Sequence, residues 1–452
     1  MSRTLIHNVR LIDANIDWPQ AWLVISNGKI EDFGKGNYEE PFDNFDNIVD
    51  ARWKMLLPGI IDEHVHFREP GMEEKADIAS ESAAAAAGGV TTFFDMPNTV
   101  PATTTLQAWN DKMNIAADKS IVNYAFFIGA TPQNIDFLIN ADYTRIPGIK
   151  LFMGATTGTD ANNDNRFLNK LFSIAPAIVA VHAEDENEIS RCRDNILRLN
   201  PNPDVALHSS IRSANACIIA SERIVALAQK YGKRLHIMHL STAAELKLLQ
   251  PGDIDSKLIT SETCPQYLIF DNTDYDTLGS RIKCNPAIKT AADREALLKA
   301  VFNGTIDTIA TDHAPHLIEH KNGNALTAAS GMPGVQMSLI LMLELARQHN
   351  VSPQIISRLM SANPAKIWNI SQRGLIHKGF FADLVLVDND EKSTISDQMV
   401  ISRCHWTPYI GKSTHYSVHS TWVNGYRVFD RDSGVITTTS AACPITFSTS
   451  QQ

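Results

Sequence analysis

Eight short apolar segments alternate with amphipathic stretches in the middle of this 452-residue chain, and this alternation restricts the fold more than any other feature. Short, continuously apolar segments are typical of strands that are buried on both faces of a parallel sheet. We predict strands at residues 55–61, 91–96, 122–128, 148–152, 178–181, 234–238, 258–261 and 307–310. The clearest helical patterns lie at residues 78–87, 213–231 and 293–302.

Eight strand-then-helix units over about 310 residues fit a (β/α)₈ barrel, whose active site lies at the C-terminal ends of its strands. A doubly wound sheet is the competing arrangement. It would not bring polar residues from the first, fourth, fifth, sixth and eighth strands to one point. A closed barrel does so, and we therefore predict the barrel.

Short strand patterns with hairpin turns flank this region on both sides. Asn27-Gly28 and Asn424-Gly425 are strong two-residue turn signals. Each flanking segment is too small to bury a core alone. We therefore predict an α/β fold in which residues 55–369 form a TIM-type barrel and residues 1–54 and 370–452 form one small, discontinuous β-sandwich domain. The tail from Thr437 is expected to be poorly ordered.

Composition excludes several classes of function. The net charge of −10 argues against nucleic acid or an anionic membrane as the main partner. The six cysteines are scattered without a C-x-x-C, which fits a reducing cytoplasm. The first residues lack the apolar core of a signal peptide, and no apolar run approaches 18 residues. We expect a cytoplasmic protein with a small-molecule substrate that forms a homodimer or higher homo-oligomer.

The sequence D-E-H-V-H-F-R at 62–68 follows the first predicted strand. Side chains alternate along a strand, so His64 and His66 point to the same side and can bind one metal ion. Because 15 histidines would produce roughly half an H-x-H by chance, the tripeptide alone is weak evidence. Further ligand candidates at later strand ends strengthen it.

Three later strands end in such candidates. His182 ends the fifth strand, and the sixth offers His236 and His239, which face opposite sides because they are three residues apart. We select His239, nearer the C-terminal end, and expect His236 to serve packing. The eighth strand is followed by Asp312, with His313 and His316 close behind. Imidazole and carboxylate ligands suit zinc, and also manganese or cobalt.

Lys150 lies in the apolar fourth strand, G-I-K-L-F-M-G. It is either a lysine whose amine reaches solvent or an inward-facing lysine. An inward lysine would be desolvated, and its lowered pKa would leave a neutral amine. Such an amine can add CO₂ to form a carbamate, which can bridge two cations.

Two long motifs resemble those of the cyclic amidohydrolases and, within them, the bacterial single-function dihydroorotases. They are P-G-I-I-D-E-H-V-H-F-R-E-P-G at 58–71 and A-T-D-H-A-P-H-L-I-E-H-K at 310–321, with support from D-M-P-N-T at 95–99. The resemblance extends over the barrel and both flanking β segments. It implies two divalent metal ions, expected to be Zn²⁺.

The resemblance also implies a role for each matching residue. The expected metal ligands are His64 and His66 for one ion, His182 and His239 for the other, carbamylated Lys150 as the bridge, and the catalytic Asp312. The expected substrate-binding residues are Arg68, Asn98 and His316 at the substrate carboxylate and Asn285 at the ring. Around Asn285 the sequence C-N-P-A-I-K departs from relatives that often have a second proline and an arginine.

The implied reaction is the reversible hydrolysis of (S)-dihydroorotate to N-carbamoyl-L-aspartate, the third step of pyrimidine biosynthesis. Arg68 supplies a planar cation for the substrate carboxylate. Dihydropyrimidinases, hydantoinases and allantoinases act on rings without that carboxylate, so Arg68 favours the dihydroorotase reading over theirs. A non-catalytic scaffold relative is the third alternative, and the complete ligand set argues against it.

Overall fold

The computed structural model describes residues 3–155, 162–390, 392–436 and 441–448. Within these residues it contains twenty strands and thirteen α-helices. The strands are β1 (Arg3–Ile12), β2 (Asp17–Ser26), β3 (Lys29–Lys35), β4 (Asn47–Asp50), β5 (Met55–Pro58), β6 (Ile60–Val65), β7 (Val90–Asp95), β8 (Asn123–Phe126), β9 (Ile128–Gly129), β10 (Ile149–Phe152), β11 (Val179–His182), β12 (Leu235–Leu240), β13 (Ile259–Thr263), β14 (Thr308–Ile309), β15 (Leu384–Asp388), β16 (Ser393–Thr394), β17 (Ser413–Thr414), β18 (Ser417–Val423), β19 (Tyr426–Asp430) and β20 (Gly434–Val435). The helices are α1 (Ile78–Ala87), α2 (Leu106–Lys119), α3 (Ile135–Asn140), α4 (Asn165–Ile174), α5 (Glu186–Leu199), α6 (His208–Ile211), α7 (Ala214–Tyr231), α8 (Pro265–Ile269), α9 (Tyr275–Leu278), α10 (Ala291–Phe302), α11 (Ser338–Gln348), α12 (Pro353–Ser357) and α13 (Asn363–Ile367).

Strands β6 to β14 form a parallel barrel, which confirms the predicted (β/α)₈ fold. They pair in the orders β6-β7-β8 and β9-β10-β11-β12-β13-β14. Strands β8 and β9 are two halves of one barrel strand, separated by Phe127. The barrel closes where a parallel bridge joins Val65 to His313 and the His66 backbone N–H donates to the His313 carbonyl at 2.8 Å. The ends of the first and last strands therefore lie side by side.

Segments from both ends of the chain form a nine-stranded sheet beside the barrel. This confirms the prediction of a β domain made from both chain ends. Its order is β20-β19-β18-β15-β5-β1-β2-β3, with β4 also paired to β1. Its apolar face includes the fully buried Leu11, Leu23, Leu56 and Leu384. The β-sandwich form and the limits of this domain remain a prediction.

The single strand predicted at 55–61 is wrong, because the chain forms two strands there. Strand β5 pairs with β1 and antiparallel with β15 in the end-built sheet, whereas β6 is the first barrel strand. Gly59 lies between them, where an added Cβ would lie 2.2 Å from Thr91 Oγ1. This close approach requires glycine and lets the chain pass from sheet to barrel.

Helix boundaries follow local signals that the sequence contains. Helix α1 begins with a capping box in which Asp77 accepts from the Ser80 backbone and Ser80 from that of Asp77. Helix α7 begins at the N-cap Ser213 and ends at Gly232, whose φ of 63° suits glycine. Among the described residues, no helix combines the length and the apolar character that crossing a bilayer requires.

Two parts of the C-terminal segment contact the barrel. The Ile445 backbone N–H donates to the Tyr124 carbonyl at 2.9 Å, and Phe447 is buried. The expectation of a poorly ordered tail is therefore wrong for residues 441–448, while residues 437–440 and 449–452 lie outside the described residues. Farther back in the chain, Trp406 Nε1 donates to the His316 carbonyl at 2.7 Å, close to the mouth of the barrel.

Candidate active site

The six expected metal ligands lie together at the C-terminal end of the barrel. They come from β6, β10, β11, β12 and the loop after β14. All are buried, the most exposed being His66 and Asp312 at 8% each. The barrel positions them because the C-terminal ends of parallel strands meet at one face.

The first metal position is formed by His64, His66 and Asp312. Asp312 Oδ1 lies 3.3 Å from His64 Nε2 and 3.1 Å from His66 Nε2. One ligand atom from each residue lies within 4.8 Å of the others. Two imidazoles and a carboxylate with converging atoms are a suitable donor set for a divalent cation such as zinc.

Hydrogen bonds on the far side of both rings select the atoms that face this position. His66 Nδ1 lies 2.7 Å from Asn98 Oδ1, and His64 Nδ1 contacts the carboxylate of Glu262. An amide oxygen or a carboxylate only accepts, so both Nδ1 atoms carry the proton. The Nε2 atoms then keep the lone pairs that a metal needs.

His182 and His239 form the second candidate metal position. His182 Nδ1 lies 2.8 Å from His239 Nε2, and the ring centroids are 4.6 Å apart. His182 Nε2 lies 3.1 Å from the buried Glu184, which forms an ion pair with Arg212. Two ring nitrogens that face each other at this distance fit joint coordination of a cation. The His64 and His239 ring centroids, 5.3 Å apart, bring the two positions close together.

Lys150 lies inside the barrel with a fully buried side chain. Its Nζ is 2.7 Å from Met238 Sδ and 4.8 Å from the centre of the Phe152 ring. Burial lowers the pKa of Lys150 to about 8. Of the two alternatives for this lysine, the structure shows the inward-facing one, and with this pKa about a tenth of the amine is neutral at pH 7.

The protonation states of the site fit metal ligation. Burial is the main cause that lowers the pKa values of His64, His182 and His239, which favours neutral imidazoles. Burial raises the pKa of Asp312, but His64 and His66 outweigh it, so the net pKa is lowered. Neutral imidazoles and an ionised carboxylate are the forms that bind a cation.

Arg68 is a buried cation at the edge of this site, 2% exposed. Its Nε donates to the Pro315 carbonyl at 3.0 Å, and Nη2 lies 3.2 Å from His316 Nε2. Among the residues that the structure describes, no carboxylate forms an ion pair with Arg68, and burial lowers its pKa to about 10. Its φ of 71° is rare for a residue other than glycine. A buried guanidinium of this kind can bind an anionic group.

Nine of the ten predicted site residues line one cavity. His316 is the exception, since it lies behind Arg68, and burial is the main cause that lowers its pKa. The amide oxygen of Asn285 accepts from His208 Nε2 at 3.0 Å. Its amide group is therefore held in one orientation at the cavity wall.

Several buried polar residues at the site escaped the sequence reading. Glu262 lies in β13, whereas the strand predicted there ends at residue 261. Glu184 lies two residues after the end of β11. His236 lies between the carboxylates of Glu63 and Glu262, at 3.3 and 3.6 Å. Burial alone would lower its pKa, but these carboxylates raise it to about 9. The acidic residues beside the predicted strand ends were the available signal.

A larger cavity lies near the N-terminal ends of the barrel strands. Two cations that line it are already paired. Lys366 contacts Asp253 and Asp255, and Arg373 contacts Asp383. None of the predicted site residues lines this cavity.

Comparison with known proteins shows the family of this chain. The profile of the Amidohydrolase family matches residues 55–428. A dihydroorotase from Methanosphaera stadtmanae is 33% identical over 418 residues, covering 90% of this chain and 92% of that protein. An allantoinase from Streptomyces avermitilis is also 33% identical, covering 83% of this chain and 84% of that protein.

Solved structures show the same architecture. An L-hydantoinase (dihydropyrimidinase) from Arthrobacter aurescens superposes with a TM-score of 0.92 at 26% sequence identity. The match covers 99% of this chain and all of that one. Dihydroorotase, allantoinase and hydantoinase relatives are thus all similar to this chain, and identity alone does not choose among them.

Proposed function

The chain belongs to the amidohydrolase family, and we propose that it is a dihydroorotase, which hydrolyses (S)-dihydroorotate to N-carbamoyl-L-aspartate and catalyses the reverse ring closure. The chain is an enzyme that acts on cyclic amides. The choice of dihydroorotate depends on the substrate carboxylate.

Arg68 is the observation that carries this choice. A buried guanidinium without an ion-pair partner among the described residues is costly unless a ligand supplies the anion. A carboxylate accepts two charge-assisted hydrogen bonds from a guanidinium. Dihydroorotate carries a carboxylate on its ring, whereas dihydrouracil, hydantoin and allantoin do not. Arg68 and Asn98 both line the cavity, and His316 contacts Arg68 from behind. This arrangement supports a pocket for that group.

Two divalent cations, proposed to be zinc, would be held by His64 and His66, by His182 and His239, and jointly by Asp312 and carbamylated Lys150. When bound, the ions supply Lewis acidity and a hydroxide nucleophile at neutral pH. The Lys150 amine would add CO₂, forming an N–C bond and releasing a proton. Its pKa of about 8 supports this step because the neutral amine is the reacting form.

Asp312 is the proposed proton carrier. It is an ionised carboxylate between His64 and His66 and can accept the proton of the nucleophile. Net addition of water to the ring carbonyl carbon would form a carbon–oxygen bond and break the carbon–nitrogen bond of the ring. Asp312 then gives the proton to the leaving nitrogen. Asn285 would contact the ring and keep the carbonyl in place.

A comparison of substrates tests the proposal. The metal-loaded protein should show the highest kcat/KM for dihydroorotate among dihydroorotate, dihydrouracil, hydantoin and allantoin. Equal or better turnover of a ring without the carboxylate would indicate a hydantoinase-like or allantoinase-like enzyme. Absence of turnover for all four rings, with ions bound, would indicate a non-catalytic scaffold.

The cellular setting is part of the same proposal. Ring closure to dihydroorotate would serve pyrimidine biosynthesis in the cytoplasm. The net charge of −10 supports a small-molecule partner over nucleic acid. A homodimer or higher homo-oligomer is proposed, and light scattering of the purified protein tests it.

A further inference from the structure

One oxygen of Glu262 contacts a ligand of each metal position. Glu262 lies in β13 and is fully buried. Its Oε1 accepts from His64 Nδ1 and, at 3.0 Å, from the backbone N–H of His239. His64 belongs to the first position and His239 to the second. A side chain outside the ligand set thus touches both halves of the centre.

The contact with His64 fixes the tautomer of its imidazole in the form that can bind the first ion. Because the carboxylate accepts, Nδ1 carries the proton and Nε2 keeps its lone pair. That Nε2 lies 3.3 Å from Asp312 Oδ1. Carboxylates in this arrangement orient metal-binding histidines and raise their basicity.

The contact with His239 acts on the backbone. His239 has a φ of 44°, in the left-handed region that residues with a side chain rarely adopt. Such a conformation persists only where surrounding contacts hold it. The bond from the His239 N–H to Glu262 is one such contact, and it holds His239 Nε2 at 2.8 Å from His182 Nδ1.

The other oxygen of Glu262 faces the ring of His236. Oε2 lies 3.6 Å from His236 Nε2, which in turn lies 3.3 Å from Glu63 Oε1. His236 Nδ1 bonds to Thr260 Oγ1 at 2.9 Å, and Glu63 receives Thr308 Oγ1 at 2.5 Å. On the side away from the metal positions, the Glu262 carboxylate therefore faces the His236 ring without a hydrogen bond to it.

We propose that Glu262 is a positioning residue for both metal ions, which orients His64 through its ring and His239 through its backbone. The inference rests on the metal centre of the proposed function and adds to it a residue outside the ligand set. Loss of Glu262 should weaken the binding of both ions, since each has one ligand held by the same oxygen.

The affinity for Zn²⁺ alone, measured by competition with a chelator in bicarbonate buffer, tests this role without any substrate. Glu262→Met keeps a similar volume but removes the acceptor, and it should bind Zn²⁺ about 10–100-fold more weakly, the usual cost of losing such a partner. Glu262→Gln keeps a neutral acceptor oxygen and should show a smaller loss. Elemental analysis should find fewer than the wild-type number of ions per chain in both variants.

Glu245→Gln is the matched control. Glu245 is also buried, and it accepts from Ser221 at 2.6 Å and Thr242 at 2.8 Å, outside the metal centre. Its variant should lose stability but keep wild-type Zn²⁺ affinity. A merely structural role for Glu262 would produce this same pattern.

The possible failures are distinguishable. Wild-type Zn²⁺ affinity in folded Glu262→Met would overturn the inference and leave the proposed function intact. If Glu262→Met does not fold, wild-type affinity in Glu262→Gln overturns it equally. A wild-type protein that binds no Zn²⁺ would refute the metal centre, and with it both the proposed function and this inference.

Discussion

His66 Nε2 lies 3.1 Å from Asp312 Oδ1, although 246 residues separate the two along the chain. The contact follows from barrel closure, since the His66 backbone N–H also bonds to the carbonyl of His313. The first and eighth barrel strands thereby bring an imidazole and a carboxylate to one point. This pairing is the basis of the first prediction.

Asp312→Asn should keep the size of the side chain and lose its capacity to accept a proton. We expect kcat for dihydroorotate to fall by roughly 10²–10⁴-fold, the usual contribution of general acid–base catalysis. Elemental analysis of the same sample must show that the ions remain bound. Near-normal kcat with the ions in place would assign the proton transfer to another group.

Lys150→Ala should lose most of the bound metal and the activity, because the bridging carbamate can no longer form. Small carboxylic acids added to this variant should restore part of both, since a free carboxylate can occupy the vacated space. The intact mass of the wild type should increase by one CO₂ when it is measured under native conditions with bicarbonate. An unmodified amine in a fully active enzyme would contradict the assignment.

Arg68→Met should lower kcat/KM for dihydroorotate by about 10²-fold or more, because two hydrogen bonds to a charged group are lost. Turnover of dihydrouracil should change little, since that ring has no group for Arg68 to bind. Arg68→Lys is the matched control. Its kcat/KM for dihydroorotate should lie between those of the wild type and Arg68→Met, because lysine keeps the charge but lacks the planar guanidinium. An equal loss for both rings would mean that Arg68 supports the site generally.

His236 should make stability depend on pH in the alkaline range. Its folded-state pKa of about 9 lies above the ordinary value of 6.5. The contribution is therefore fully present below pH 6.5 and is lost as pH rises towards 9. It amounts to at most about 3 kcal/mol. Denaturant unfolding of the metal-loaded protein should show a steeper decline from pH 6.5 to 9 than that of His236→Gln, and parallel declines would contradict the prediction.

Local signals made much of the barrel predictable. Helix α1 spans the predicted residues 78–87, and α7 begins one residue after the predicted start because Ser213 is its N-cap. Continuous apolar runs predicted most of the barrel strands, and the ligands predicted at the strand ends lie together in one cavity. These features depend on residues close together in the sequence, which is why the sequence sufficed.

Features that depend on distant pairing were not predictable in the same way. Met55–Pro58 reads like a barrel strand, and only its pairing with Leu384–Asp388 shows that it belongs to the sheet. In the sequence Glu262 is only a polar residue near a strand end, and its contact with His64 is visible only in the structure. His236 was expected to serve packing, but its ring lies between two carboxylates that are distant in sequence.

The pairing of β5 with β15 also sets an order of events during synthesis. The partner of Pro58 is Leu384, so β5 leaves the ribosome about 330 residues before the strand that covers its edge. At typical rates of elongation this interval lasts roughly 15–65 s. The strands of the barrel can emerge and pair within that time, while the edge of β5 that will pair with β15 remains unpaired. The final sheet thus forms last, and a chain that stops before residue 384 leaves an apolar strand edge open to other chains.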